Sequence, residues 1–256
     1  MNHVECMVLD IIKIKQGVRM LNIVLPMAGR GSRFAKAGYQ LPKPFIEING
    51  KPMIEVVVNN LRPSISHRFI FICQRNHLQK YNAESLLHKL SKDSIIIPVD
   101  TVTDGQLSSA MLAEEYIDKN EPLLTANTDQ FIDFRIDDFI KYANEQKLDG
   151  LIMTMKATDP KWSYVKLDVD NKFVVETAEK KVISDEATVG IYYFSKGRDF
   201  VECASELISN NERVNGEFYI CPVYNYMICR KKKIGIYNIG TENHGMYGLG
   251  TPAVFV

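Results

Sequence analysis

Hydrophobic and polar positions follow two rhythms along this chain. From Leu21 to Ala157, short continuous apolar runs take turns with stretches of helical spacing. Asn22–Met27, Phe69–Cys73, Ser94–Val99, Pro122–Ala126 and Gly150–Met155 are apolar almost throughout, which suits strands buried on both faces. Between them Pro52–Leu61, Tyr81–Leu90, Ser108–Tyr116 and Asp137–Glu145 space their apolar residues as helices do, the first opening on a proline. Beyond Ala157 the alternation breaks. Tyr164–Val169 and Phe173–Glu176 flank Asp170-Asn171 as a hairpin would, Val189–Phe194 reads as a strand, Asp199–Ile208 as a helix and Lys233–Asn238 as a late strand.

Strands separated by helices of this length predict an α/β fold, doubly wound around a mainly parallel, Rossmann-like sheet. The mixed second half predicts an antiparallel extension that walls one side of a cleft. There is no linker, repeat or low-complexity segment, so residues 20–256 are expected to form one domain, with a first half over 20–157 and a second over 158–256. Met20 stands directly before the first convincing strand, and residues 1–19 read as an N-terminal extension of undetermined order.

Composition narrows the partners. The 256 residues carry 31 Lys+Arg against 31 Asp+Glu, a formal charge of zero, which argues against a protein that coats nucleic acid or an anionic membrane. No run approaches a bilayer span, and Glu5, Asp10, Lys13 and Lys15 interrupt any secretory core, so a cytosolic protein is expected. Cys6, Cys73, Cys203, Cys221 and Cys229 are odd in number and widely spaced, which fits reduced thiols better than disulfides or zinc. Arg230–Lys233 reads as a solvated hairpin flank.

The chemistry concentrates after the first strand. Ala28-Gly29-Arg30-Gly31-Ser32-Arg33-Phe34 places two glycines and two arginines where a buried strand ends. Glycines let backbone N–H groups approach phosphate oxygens, and arginines add fixed-geometry cations. Phe34 stands where a dinucleotide fingerprint needs its third glycine, and the Walker Gly-Lys-Ser/Thr is absent. A plain strand-to-helix turn is the competing reading. Pro42-Lys43-Pro44 then clamps one lysine on stiff backbone, as a lysine aimed at a phosphate requires; a rigid exposed loop is the alternative.

These paired motifs, continued by Asn49-Gly50-Lys51-Pro52-Met53-Ile54, resemble those of the sugar-phosphate nucleotidylyltransferases, and the resemblance runs from about Leu21 to Pro252. It implies that Ala28, Gly29, Arg30, Gly31 and Ser32 wrap a triphosphate, that Arg33 neutralises departing pyrophosphate, and that Lys43 stabilises the attacked α-phosphate. It further implies that Gly105 and Ser109 line the base pocket with Asn127 nearby, where local reasoning sees only a turn at Gly105 and a helix cap at Ser108. Asp129, just past the fourth strand, matches the family's Mg²⁺ ligand, with a turn aspartate as the plainer reading. The second metal aspartate that the family carries near its C-terminus is replaced by Gly248. Either Asp129 holds the ion with phosphates and water, or a residue such as Glu242 takes part. Lys180, Gly190, Glu217 and Tyr219 match segments that face the acceptor; a solvated lysine and a half-buried ring are the bland readings of Lys180 and Tyr219.

The resemblance thus implies transfer of a nucleoside monophosphate to a small phosphorylated acceptor, with Mg²⁺ as cofactor. Taken whole, the chain is similar to the branch of the family that transfers CMP from CTP to phosphoglutamine for capsule precursors. Alternatives are a sugar- or alditol-phosphate enzyme using CTP or UTP, a nucleotide-binding regulator without catalysis, which Gly248 favours, and a glycosyltransferase, against which Asn127-Thr128-Asp129 lacks the Asp-x-Asp. An oligomer is compatible with each.

Overall fold

The computed structural model describes residues 20–29 and 31–252. The expectations for residues 1–19, Cys6 and Arg30 fall outside these. The strands are β1 (Leu21–Pro26), β2 (Glu47–Ile48), β3 (Lys51–Pro52), β4 (His67–Gln74), β5 (Ile95–Val99), β6 (Leu123–Ala126), β7 (Gln130–Ile132), β8 (Gly150–Lys156), β9 (Tyr164–Leu167), β10 (Val174–Ala178), β11 (Glu186–Phe194), β12 (Ile234–Glu242) and β13 (Gly245–Gly248). Eleven of them form one sheet with the order β5-β4-β1-β6-β11-β8-β12-β13-β7, and β9 joins β11 while β10 pairs with β9.

The β5-β4-β1-β6 stretch is parallel throughout, as the continuous apolar runs predict. Successive residues alternate between two cores. Leu21, Ile23 and Leu25 pack on one face with Phe69 and Phe71, against the helix Met53–Asn60 and the helix Ile136–Glu145. Val24, Ile70 and Ile72 pack on the other, with Leu107, Phe200 and Tyr224. β11 enters antiparallel between β6 and β8, so the antiparallel element lies in the middle of the sheet and not only at its acceptor-side margin. The hairpin expected around Asp170-Asn171 is present as the β9–β10 pair, with Asn171 in the left-handed region at φ 53°.

Three local expectations are corrected. Ser108 lies inside the helix Gln106–Met111, whose N-cap is Gly105, because Leu107 donates to the Phe218 carbonyl (3.1 Å) and brings the helix start forward. The expected helix over 108–116 is split, its second part being a 3₁₀ turn at Glu114–Tyr116. Arg230–Lys233 is the turn from the helix Val223–Cys229 into β12; Arg230 pairs with Glu206 at 2.8 Å and Lys232 with Asp199 at 3.0 Å, so it is not a hairpin flank. Cys73, Cys203 and Cys221 are free and buried, whereas Cys229 is exposed. Burial pushes the thiol of Cys73 up to about 12 and that of Cys203 to about 11. No described helix is long and apolar enough to cross a membrane.

The connections decide where a ligand can sit. From β1 the chain winds outward through β4 to β5 and then returns to β6 on the other side of β1. That reversal opens a crevice at the carboxyl ends of β1 and β6, the place where open α/β sheets bind ligands.

Candidate active site

The glycine loop leaves β1, and the bend that carries Asp129 leaves β6, at this crevice. Past β1, Met27 still donates to the Ile72 carbonyl (2.9 Å), and the Gln74 amide of β4 then reaches across to the carbonyl of Ala28 at 2.8 Å. Ala28 is itself buried, so it shapes the loop from beneath. Gly31 caps the short helix Ser32–Lys36 in the left-handed region (φ 58°), with Phe34 and Ala35 donating to its carbonyl. A side chain there would be strained, and its Cβ would also stand 3.1 Å from the Cβ of Lys43. The glycine loop and the proline-clamped lysine are therefore stacked on one another. Pro42 holds φ at −59°, and Lys43 begins a 3₁₀ turn through Phe45 whose Pro44 and Phe45 are buried.

The Lys43 ammonium lies 2.5 Å from the Asp129 carboxylate, each side chain being about a quarter exposed (25% and 26%). Asp129 sits in the bend between β6 and β7. The C-terminal segment closes over it: Leu249 donates to the Asp129 carbonyl (2.7 Å), and a Cβ at Gly250 would collide with the carboxylate. Gly248 faces Gln130 in the β13–β7 register, with open space where a side chain would project. Glu242 is paired with Lys161 at 3.2 Å. Among the described residues no group of three His, Cys, Asp or Glu side chains could hold a metal ion. A single, partly exposed carboxylate fits a Mg²⁺ that arrives on phosphates and keeps its waters, and does not fit an all-protein cage.

Two cavities adjoin here. The larger, about 640 Å³, is lined by Gly29, Gly31, Ser32, Gly105, Ser109 and also Glu217. Its far wall is locked to the second half of the chain: Phe218 donates to the Asp104 carbonyl (2.8 Å), and Gly105, at φ 108°, lies so close to Phe218 that a Cβ would meet its backbone oxygen at 2.5 Å. The Thr103 and Ser109 hydroxyls meet at 2.5 Å beneath this turn. Arg213 bonds the Asp104 carboxylate (3.0 Å) and stacks on Phe218 with 4.0 Å to its ring centroid.

The smaller cavity, about 290 Å³, is lined by Arg33, Asp129, Asn127, Lys180, Gly190 and Tyr219, among others. Gln106 borders both cavities, and its amide donates to the Asn127 side chain. The bulge in β11 between Thr188 and Tyr192 carries Gly190, whose missing side chain leaves room for the Asn127 amide. Lys180, left-handed at φ 52°, reaches the Tyr219 hydroxyl at 2.5 Å, and that hydroxyl donates to Glu217 at 2.8 Å. Burial, with the Glu217 carboxylate beside it, pushes the Tyr219 phenol well up. Burial likewise raises the Glu179 carboxyl, only partly offset by the Ser163 hydroxyl that bonds it and by the Lys180 charge.

Of the residues singled out from the sequence, Gly29, Gly31, Ser32, Gly105 and Ser109 line the larger cavity and Arg33, Asp129, Lys180, Gly190 and Tyr219 the smaller one, while Ala28 and Lys43 line neither of the two. Glu217, expected at the acceptor, lines the larger cavity, and Asn127, expected at the nucleotide, lines the smaller one. Gln130, Trp162 and Ser163 are lining residues that no motif flagged, and Thr103 and Gln106 line the walls from the same segment as Gly105 and Ser109. They come from separate turns and strand ends, and only the fold brings them together.

Residues 22–219 match the family model described as Nucleotidyl transferase. The chain belongs to this family. Among solved members, the nucleoside-diphosphate-sugar pyrophosphorylase from Vibrio cholerae RC9 is 28% identical with a TM-score of 0.77, the match covering 91% of this chain and 97% of that one. The inositol-1-phosphate CTP transferase from T. maritima shares the fold at 18% identity and a TM-score of 0.70, covering 93% of this chain and 91% of that one. The mannose-1-phosphate guanylyltransferase catalytic subunit beta of Danio rerio is 24% identical over 180 residues, 68% of this chain and 50% of its own length. The chain spans about half the length, or less, of the curated relatives it matches first.

Proposed function

We propose that the protein transfers a nucleoside monophosphate from a nucleoside triphosphate to a small phosphorylated acceptor and releases pyrophosphate. One observation carries this reading: Gly31, Lys43 and Asp129 are stacked in series at the crevice, with the lysine ammonium 2.5 Å from the carboxylate. In the reaction a phosphate oxygen of the acceptor attacks the α-phosphorus in line, and the bond to the β,γ-pyrophosphate breaks. Attacking and leaving groups are both phosphates, so positioning and charge stabilisation supply the catalysis. The triphosphate lies along Gly29, Gly31 and Ser32 in the larger cavity, with the base against Gly105 and Ser109. Lys43 turns from Asp129 toward the α-phosphate, and Arg33 meets the leaving pyrophosphate. Asp129 is the residue that would hold a Mg²⁺ arriving with the nucleotide, and the ion would supply neutralisation of part of the triphosphate charge.

The finer reading is CMP transfer from CTP to phosphoglutamine for a capsule precursor. It rests on the overall resemblance and on the smaller cavity, whose wall bears Glu179, Lys161 and Lys180, charges of both signs that suit an amino-acid acceptor. A sugar or alditol phosphate with CTP or UTP is the second reading, favoured by the Vibrio cholerae relative. Four nucleoside triphosphates assayed with Mg²⁺ against phosphoglutamine and several sugar and alditol phosphates, with products identified by mass spectrometry, test both. A nucleoside-diphosphate adduct with matching pyrophosphate is expected. Inert phosphoglutamine beside an active sugar phosphate removes the finer reading. Tight nucleotide binding without turnover on any acceptor replaces the enzyme by a regulator, the reading that Gly248 favours.

A further inference from the structure

Two buried polar atoms on the wall of the smaller cavity have no hydrogen-bond partner among the described residues, the Oε1 of Gln130 and the Nε1 of Trp162. Gln130 is only 8% exposed, and its Oε1 lies 3.0 Å from the place where a Cβ of Gly190 would stand. The Asn127 amide occupies that place, so Gly190 lets the Asn127 and Gln130 side chains sit side by side on this wall. Trp162 is half-buried against the main core, with the Lys161 ammonium 4.8 Å from its ring centroid. Elsewhere, the unpartnered buried atoms belong to Asn22, Arg68, His77, Thr125 and Thr154, none of which lines either cavity. A buried donor or acceptor left unpaired costs stability, and a binding site is where such a cost is offset by a ligand.

Three charged groups of the same wall are held by neighbours in the protein. Lys180 is bonded to Tyr219, Lys161 to Glu242, and Glu179 to Ser163. Among the buried side-chain atoms of this wall, the open hydrogen-bonding capacity is one indole N–H and one amide oxygen. We propose that Trp162 and Gln130 are specificity-determining residues for the acceptor: the Trp162 Nε1–H donates to an acceptor oxygen, and the Gln130 Oε1 accepts from an acceptor N–H or O–H. The ligand class is a small phosphorylated molecule that displays both a donor and an oxygen beyond its phosphate. Polyol phosphates and amino-acid phosphates both meet this requirement; a plain alkyl phosphate does not. This inference rests on the nucleotidyl-transfer reading for the identity of the second substrate.

Trp162 is the single tryptophan of the chain, so its indole N–H gives one assignable proton–nitrogen resonance. The whole protein, labelled with nitrogen-15, is titrated with CTP and Mg²⁺ alone, and then with phosphoglutamine, a hexose phosphate, an alditol phosphate and butyl phosphate. In parallel, acceptor KM, nucleotide KM and kcat are measured for wild type, Trp162→Phe and Gln130→Met. The resonance is expected to move with a polar acceptor and not with CTP or butyl phosphate. Each variant should raise that acceptor's KM about tenfold, the worth of one hydrogen bond, with nucleotide KM within about threefold. Should Trp162→Phe fail to fold, Gln130→Met and the wild-type titration still decide. Turnover with an unmoved indole signal and unchanged acceptor KM in Gln130→Met overturns the pair and leaves the enzyme reading intact. A shifted signal without turnover supports the pair and removes the enzyme reading. Neither turnover nor shift with any acceptor removes both.

Discussion

Replacing Lys43 by Met keeps the aliphatic stem against Gly31 and deletes only the charge. Its effect on stability should be small. The ammonium and the Asp129 carboxylate are each about a quarter exposed, and partly solvated pairs contribute on the order of 1 kcal/mol or less. In a chain of this size that is a fall of roughly 2–4 °C in Tm. Its effect on rate should be far larger. A cation aimed at charge that develops only in the transition state contributes about 3–4 kcal/mol, so kcat should fall roughly 100- to 1000-fold. KM for the nucleotide should change much less, because the glycine loop still holds the triphosphate. The assay is coupled pyrophosphate release over a range of nucleotide concentrations, beside a thermal melt. Lys43→Met retaining kcat within about threefold would refute the assignment. So would a melt showing the protein unfolded at assay temperature, since the pair would then be a structural strut.

Four further outcomes follow from the same geometry. Gly31→Ala must hold an alanine at φ 58° and press its Cβ onto Lys43, which should lower stability by about 1–2 kcal/mol and weaken nucleotide binding; denaturant melts and nucleotide KM report each part. Asp129→Asn should shift the Mg²⁺ concentration for half-maximal activity upward about tenfold, read from a Mg²⁺ titration at fixed nucleotide. Glu179 is buried and its carboxyl is raised, so the folded state holds this proton at a pH where the unfolded state has released it. Stability should therefore fall as pH rises from the ordinary carboxylate range through the raised folded value, and Glu179→Gln should remove that part of the slope in urea melts at stepped pH. Tyr219→Phe deletes the hydroxyl that joins Lys180 to Glu217 and should raise acceptor KM several-fold with little change in nucleotide KM.

The parallel half of the sheet was legible because a strand buried on both faces has no choice but to be apolar throughout, as Leu21–Leu25 and Phe69–Cys73 are. The central placement of β11 was not, since Val189–Phe194 reads the same in either direction, and pairing partners lie far apart in sequence. β7 and β13 were missed because their pairing is set by the fold: Gln130–Ile132 is a short segment after a turn, and Gly245–Gly248 is held by the Asp129 and Ile132 region. The helices Arg75–Lys80 and Val223–Cys229 are short and carry little periodic signal. At the crevice, the glycine loop and the clamped lysine could be read because their backbone demands glycine and proline at fixed spacing. Gln130 and Trp162 could not, because an amide and an indole gain meaning only when the fold buries them unpaired around one cavity.

The account turns on a single polyphosphate lying between the glycine loop, Lys43 and Asp129. A crystal structure of the protein with Mg²⁺ and a triphosphate whose α,β-bridging oxygen is replaced by methylene tests this most directly. The account predicts the triphosphate along Gly29, Gly31 and Ser32, with the Lys43 ammonium moved from Asp129 onto an α-phosphate oxygen. A triphosphate bound instead in the separate cavity lined by Lys156, Lys166 and Asn171, with the Lys43–Asp129 pair undisturbed, would contradict it.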